Sequence, residues 1–242
     1  LAAAVAVVSV AGSLRGEDWP CFRGPHVDGI SREALATGEG GAVRLEVVWK
    51  KPLGSAYSGV AVAGEHVVTM FSDGEFDYVV ALSAKDGDEL WRHKVAPTYE
   101  GHDGSHTGPI GTPAISDGHV YALGAKGQLL CLELESGKLV WSVDLPKDHE
   151  ASAPFYGFGG SPIVMGGTVI VGPASSEGVL GGFDAKSGKR QWVAGDDGWQ
   201  YQTPIPWEHG GKRGVLAAGN GKLVFIDPAT GEVLWQDRKS VV

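Results

Sequence analysis

CLELESGKLVW (residues 131–141) is one of four copies of an eleven-residue phrase; the others are ALSAKDGDELW (81–91), GFDAKSGKRQW (182–192) and FIDPATGEVLW (225–235). Every copy places a glycine four residues before its tryptophan: Gly87 before Trp91, Gly137 before Trp141, Gly188 before Trp192 and Gly231 before Trp235. A turn former or small polar residue precedes each glycine (Asp86, Ser136, Ser187, Thr230). Glycine reaches positive φ without a Cβ penalty, so these pairs predict tight hairpins between an apolar strand and a tryptophan-bearing strand. Trp49 closes a degenerate earlier copy in LEVVWK, and the successive tryptophans then lie 42, 50, 51 and 43 residues apart. That period is one propeller blade. An indole at the same register of every unit predicts packing into the seam with a neighbouring sheet.

Two more strands precede each hairpin. TPAISDGHVYALG turns at Asp117-Gly118, SPIVMGGTVIVG at Gly166-Gly167, and GVAVAGEHVVTMF around Gly64, while YQTPIPWEHGGKRGVLAAG reads as a looser pair. Four short strands per period make an all-β chain, a β-propeller of four-stranded antiparallel blades with tryptophan docking at residues 46–242. The chain stops soon after a docking tryptophan, which leads us to expect about four blades of a ring of seven or eight.

The 242 residues include 38 glycines, about twice the usual share, here spent on turns. A net charge of −9, with 20 basic against 29 acidic residues and no long runs, excludes a basic footprint for nucleic acid. The first dozen residues, LAAAVAVVSVAG, are too few to span a bilayer, so no transmembrane span is expected. They read as the truncated h-region of a secretory signal (1–12), with Val10-Ala11-Gly12 suiting signal peptidase; a lead-in segment follows at 13–45. A periplasmic or otherwise exported protein is expected. Asp18-Trp19-Pro20 before Cys21 does not suit lipid anchoring.

The repeated small-x-acidic-x-x-x-Gly-x-x-x-Trp phrase with glycine-rich strand pairs between its copies resembles the pyrroloquinoline-quinone (PQQ) repeat propellers. That superfamily includes quinoprotein alcohol dehydrogenases and the non-catalytic scaffold of the outer-membrane β-barrel assembly machine. WPCFRGPHVDGIS (19–31) is similar to the lead-in of exported PQQ-binding-like repeat proteins of planctomycete-type bacteria. For the enzymes the resemblance implies a disulfide of adjacent cysteines against one quinone face, a tryptophan on the other, a calcium ion and a catalytic aspartate. This chain holds only Cys21 and Cys131. Cys131 occupies the repeat position of Ala81, Gly182 and Phe225, a packing position for a buried free thiol. The expectation is therefore a non-catalytic, exported binding or scaffolding module without a confidently assigned cofactor; a dehydrogenase using PQQ with calcium is the alternative.

Chemistry is most concentrated in the linkers between blades. PTYEGHDGSHTGPIGTP (97–113) carries His102, Asp103 and His106, a spacing that suits a metal if both imidazoles converge and equally suits a polar loop. The next linker carries His149, Phe155, Tyr156 and Phe158, and the third carries Trp199 and Tyr201. Connections entering the innermost strands of a propeller gather around one channel mouth. His102, His106, Tyr156, Trp199 and Tyr201 are accordingly expected to form a rim for a protein, peptide or glycan partner in the cell envelope. No catalytic group and no metal ligand set is assigned. The chain has no Gly-x-Ser-x-Gly elbow, phosphate loop or His-Glu-x-x-His pair, and GNGK (219–222) reads as a hairpin turn.

Overall fold

The computed structural model describes residues 16–33, 46–105, 107–176, 178, 180–198 and 201–238. Four meander sheets follow one another along the chain. The first blade is β1 (Ala61–Ala63), β2 (His66–Ser72), β3 (Phe76–Ser83) and β4 (Glu89–Pro97); the second is β5 (Ala114–Ser116), β6 (His119–Leu123), β7 (Gln128–Glu133) and β8 (Leu139–Asp144). A five-residue helix, α1 (Leu145–His149), follows, capped by the Asp144 carboxylate accepting the Lys147 amide. The third blade is β9 (Ile163–Met165), β10 (Thr168–Val171), β11 (Leu180–Asp184) and β12 (Arg190–Ala194); the fourth is β13 (Ile205–His209), β14 (Lys212–Ala218), β15 (Lys222–Ile226) and β16 (Val233–Arg238). All pairings are antiparallel and in chain order. The read-out signal region and residues 13–15 and 34–45 of the lead-in segment lie outside the described residues.

The first turn of every blade is a two-residue hairpin where the glycines stand. Ala63 pairs with His66 across Gly64, Ser116 with His119 across Gly118, and Met165 with Thr168 across Gly166-Gly167. The looser fourth pair closes equally tightly, with His209 opposite Lys212 around Gly210-Gly211. The tryptophan hairpins are tight and place their glycines at positive φ as expected, with a longer turn than the first hairpin of each blade. The amides of Gly87, Gly137, Gly188 and Gly231 donate to the carbonyls of Ser83, Glu133, Asp184 and Asp227, four residues back, at 2.8–2.9 Å. Each is an α-turn ended by a left-handed glycine, and in each blade the ladder slips by one residue just before it. In the third and fourth blades the acidic head of the turn supports it: Asp184 Oδ1 accepts the Ser187 amide, and Asp227 Oδ1 accepts those of Ala229 and Thr230.

Four of the repeat tryptophans, Trp49, Trp91, Trp141 and Trp192, dock on the blade that follows them, not on their own turns. The Trp49 ring lies over Gly87, Trp91 over Gly137, Trp141 over Gly188 and Trp192 over Gly231, so close that a Cβ on any of these glycines would meet the ring at 2.5–2.7 Å. The indole N–H then donates to a carbonyl of that turn: Ala84, Leu134, Ala185 and Pro228, at 2.7–3.1 Å. Glycine is needed twice over, for positive φ and for room. The core is correspondingly divided among three seams, one between each pair of successive blades, and a smaller cluster of Phe71, Val80 and Leu82 on the first blade against which Trp49 packs.

A second blade-to-blade link runs along the inner strands. The Gly59 amide donates to Thr112 Oγ1 at 3.2 Å, that of Thr112 to Ser161 Oγ at 2.9 Å, and that of Ser161 to Thr203 Oγ1 at 3.0 Å. Each hydroxyl residue stands just before the proline that introduces the first strand of its blade. The lead-in segment uses the remaining free edge of β1: Trp19 exchanges two hydrogen bonds with Val62, and the Pro20 carbonyl accepts the Ile115 amide of β5.

Candidate functional site

The linkers that enter the inner strands gather at one end of the blades. The Tyr57 amide donates to the Pro109 carbonyl, Ser55 Oγ to that of Thr107 and Ser58 Oγ to that of Gly111, which ties the first linker to the second. The linker between the second and third blades is anchored by Phe158, fully buried, whose amide donates to the Ala125 carbonyl. Gly157 beside it has φ 81°, and a Cβ there would strike that same carbonyl and the Tyr99 ring. The anchoring turns Phe155 and Tyr156 outward.

The result is an open pocket of about 400 Å³, within the range of ligand sites. Tyr57, Tyr99, Tyr156 and Tyr201 wall it, with Ile110, Gly159 and Ser105. The rings form a continuous chain. Tyr99 meets His102 edge-on at 6.0 Å, His102 meets Phe155 at 4.9 Å, Phe155 meets Tyr156 edge-on at 4.9 Å, and Tyr156 meets Tyr201 at 5.9 Å. Hydrogen bonds hold this arrangement in place: Tyr99 Oη donates to the Phe155 carbonyl at 3.3 Å, and Tyr201 Oη accepts the Tyr156 amide at 3.0 Å. The His102 amide donates to Ser105 Oγ.

Tyr99 is held from below by a buried acid. Asp77, at the start of β3, accepts the Tyr99 amide on Oδ2 at 3.2 Å, while its Oδ1 has no hydrogen-bond partner. Burial raises its carboxyl to about 6. His149 is turned into a seam instead, its ring 5.6 Å from that of Phe183, and burial lowers its pKa.

Of the residues read from the sequence as a rim, Tyr156 and Tyr201 line the pocket and His102 joins their ring chain. His106 and Trp199 lie outside the described residues. Tyr57 and Tyr99 line the same pocket and were not singled out; the signal available was a tyrosine in each linker, which carries no periodicity. Among the described residues no three His, Cys, Asp or Glu side chains converge as a metal site. Cys21 and Cys131 are free thiols; Cys131 is buried opposite Trp141, and burial raises it to about 11. The described residues thus do not fit the cysteine-stacked quinone and calcium arrangement that the enzyme resemblance implies. The GNGK turn joins β14 to β15, with the Gly221 and Lys222 amides already bound by Asp197 Oδ2. Among the described residues no helix is long and apolar enough to cross a membrane.

Comparison with known proteins agrees with this architecture. A family model described as outer membrane protein assembly factor BamB, one of the PQQ-repeat models, matches residues 75–240. The quinohemoprotein alcohol dehydrogenase ADH-IIG of Pseudomonas putida is 31% identical over 134 residues, covering 51% of this chain and 17% of that enzyme. BamB of Xanthomonas campestris is also 31% identical, over 108 residues, covering 44% of this chain and 25% of that protein. The chain therefore spans a quarter or less of the length of these curated relatives. Among solved structures, BamB from Moraxella catarrhalis superposes with a TM-score of 0.56 at 20% identity, over 81% of this chain and 55% of that one. Repeat, blade geometry and family model together show that the chain belongs to the PQQ-repeat propeller family of BamB type.

Proposed function

We propose that this chain is an exported, non-catalytic binding or scaffolding module of the cell envelope, whose partner sits at the tyrosine-lined mouth. One observation carries the reading: linkers from successive blades, remote in sequence, supply Tyr57, Tyr99, Tyr156 and Tyr201 to a single preorganised pocket. Ring faces fixed in advance by hydrogen bonds lose little freedom on binding, which favours recognition. The rim includes His102 of the same ring chain, and by their place in the linkers we assign His106 and Trp199 to it as well.

A second reading has its own support, because alcohol dehydrogenases of quinohemoprotein type match half of the chain at 31% identity. PQQ with calcium would then be the ligand. One titration separates the two. Under the binding reading, PQQ with calcium leaves the tryptophan fluorescence of the purified protein unchanged and is not retained through gel filtration. Tyr57→Ala and Tyr156→Ala abolish capture of an envelope protein while the thermal midpoint stays within about 2 °C, as befits exposed side chains. Stoichiometric retention of PQQ would overturn the scaffold reading, as would capture indifferent to both substitutions.

A further inference from the structure

We infer that the mouth pocket takes a basic side chain, arginine or lysine, presented by an extended peptide segment of the partner protein. This deepens the binding reading above and rests on it. The wall is aromatic on nearly every side: four tyrosines, with Ile110, Gly159 and one hydroxyl residue, Ser105. Two of the tyrosine hydroxyls are engaged within the protein, Tyr99 as donor to Phe155 and Tyr201 as acceptor from Tyr156. What remains on offer is mainly ring faces. A glycan needs several convergent polar side chains to satisfy its hydroxyls, and this wall does not supply them. A cation over a tyrosine face needs none, since the ring quadrupole attracts it directly.

Charge points the same way. The four linkers that supply the tyrosines (46–60, 98–113, 145–162 and 195–204) carry seven carboxylates (Glu46, Glu100, Asp103, Asp148, Glu150, Asp196, Asp197) against three lysines, Lys50, Lys51 and Lys147. Asp196 is paired with Lys222, and Asp197 is bound by backbone amides. Glu100, Asp103 and Glu150 remain exposed, in the same linkers as Tyr99, His102 and Tyr156. Glu100 faces the neighbouring hollow beside Tyr99, where Glu75 and Lys126 also stand. Exposed carboxylates in the linkers that carry the aromatic walls draw a cation towards this end of the blades, and a ring face then holds it. At about 400 Å³ and open to solvent, the pocket admits a side chain with adjoining backbone.

The test uses a labelled octapeptide of alternating arginine and proline, with glutamine-proline and glutamate-proline counterparts, followed by fluorescence anisotropy. The inference predicts that the arginine peptide binds at least about tenfold more tightly than either counterpart, the scale of one cation–π contact. Tyr156→Leu should weaken it about tenfold, whereas Tyr156→Phe, which keeps the ring face, should leave it within about twofold. Tyr57→Leu, on a separate linker, repeats the test should the Tyr156→Leu protein prove unstable. Equal, Tyr156-dependent binding of the glutamine peptide would overturn the basic side chain and leave the mouth as the site. Arginine-peptide binding unaffected by both leucine variants would overturn the inference by placing the contact elsewhere, and absence of binding would overturn it outright.

Discussion

Single side chains carry two separable burdens here, backbone conformation and space. Gly188 has φ 71° and lies under the Trp141 ring, whereas Gly118 has φ 74° and nothing within 4 Å of a would-be Cβ. Alanine at either position meets the left-handed strain, roughly 1–2 kcal/mol, but only at 188 must an indole also move. Chemical denaturation should therefore show Gly188→Ala less stable than Gly118→Ala by about 2 kcal/mol or more, with equal losses contradicting the docking geometry. Asp77 presents a different burden, a carboxyl only 1% exposed whose Oδ1 is unpaired. Burial raises its pKa in the folded protein from the ordinary 3.8 to about 6. Between those values the folded state holds more proton than the unfolded one, so this group's contribution makes stability fall as pH rises from about 4 to 6, and the loss persists above. The amount is of the order of 2–3 kcal/mol. Comparing unfolding free energies at pH 4.5 and 7.5, Asp77→Asn should remove that part of the slope; an unchanged slope would mean the carboxyl titrates normally.

Between blades, the elements are held together by apolar clusters that the tryptophans help to close. Trp141 is 8% exposed and seals the seam between the second and third sheets, while Trp235, at the same repeat position, is 40% exposed. Trp141→Ala should cost about 3–5 kcal/mol and Trp235→Ala about 1 kcal/mol or less, read as shifts in the denaturant midpoint. Equal costs would mean that the indoles stabilise their own hairpins instead of the seams. The four blades were legible because glycine turns and alternating runs recur at fixed offsets from each tryptophan. That each indole packs into a seam with a neighbouring sheet was legible; the glycine it lies over, Gly188 for Trp141, was not. Closure of the tryptophan hairpins by an α-turn was equally hidden, although the acidic residues that cap it, Asp184 and Asp227, stand in the repeat. The hydroxyl relay through Thr112, Ser161 and Thr203 was visible only as a Ser/Thr-Pro pair before the first strand of the second, third and fourth blades.

At the scale of the whole molecule, the seams dictate the site. Docking each sheet on the next stacks the blades in one orientation, and their linkers are thereby delivered to a common end. The sequence pattern predicts that gathering, but it does not distinguish, within one linker, Tyr156 facing the pocket from Phe158 buried beneath it. Tyr57 and Tyr99 were missed for the same reason: only the folded linkers bring them beside Tyr201. The central claim, that this mouth is where the partner binds, is open to a direct measurement. A photo-crosslinking phenylalanine derivative would replace Tyr156, and in a separate protein Leu139 on β8; both side chains are 41% exposed, so accessibility is matched. Irradiation of intact cells should yield a discrete crosslinked protein from position 156 and none from 139. Adducts identical at both positions, or none at 156, would contradict the account.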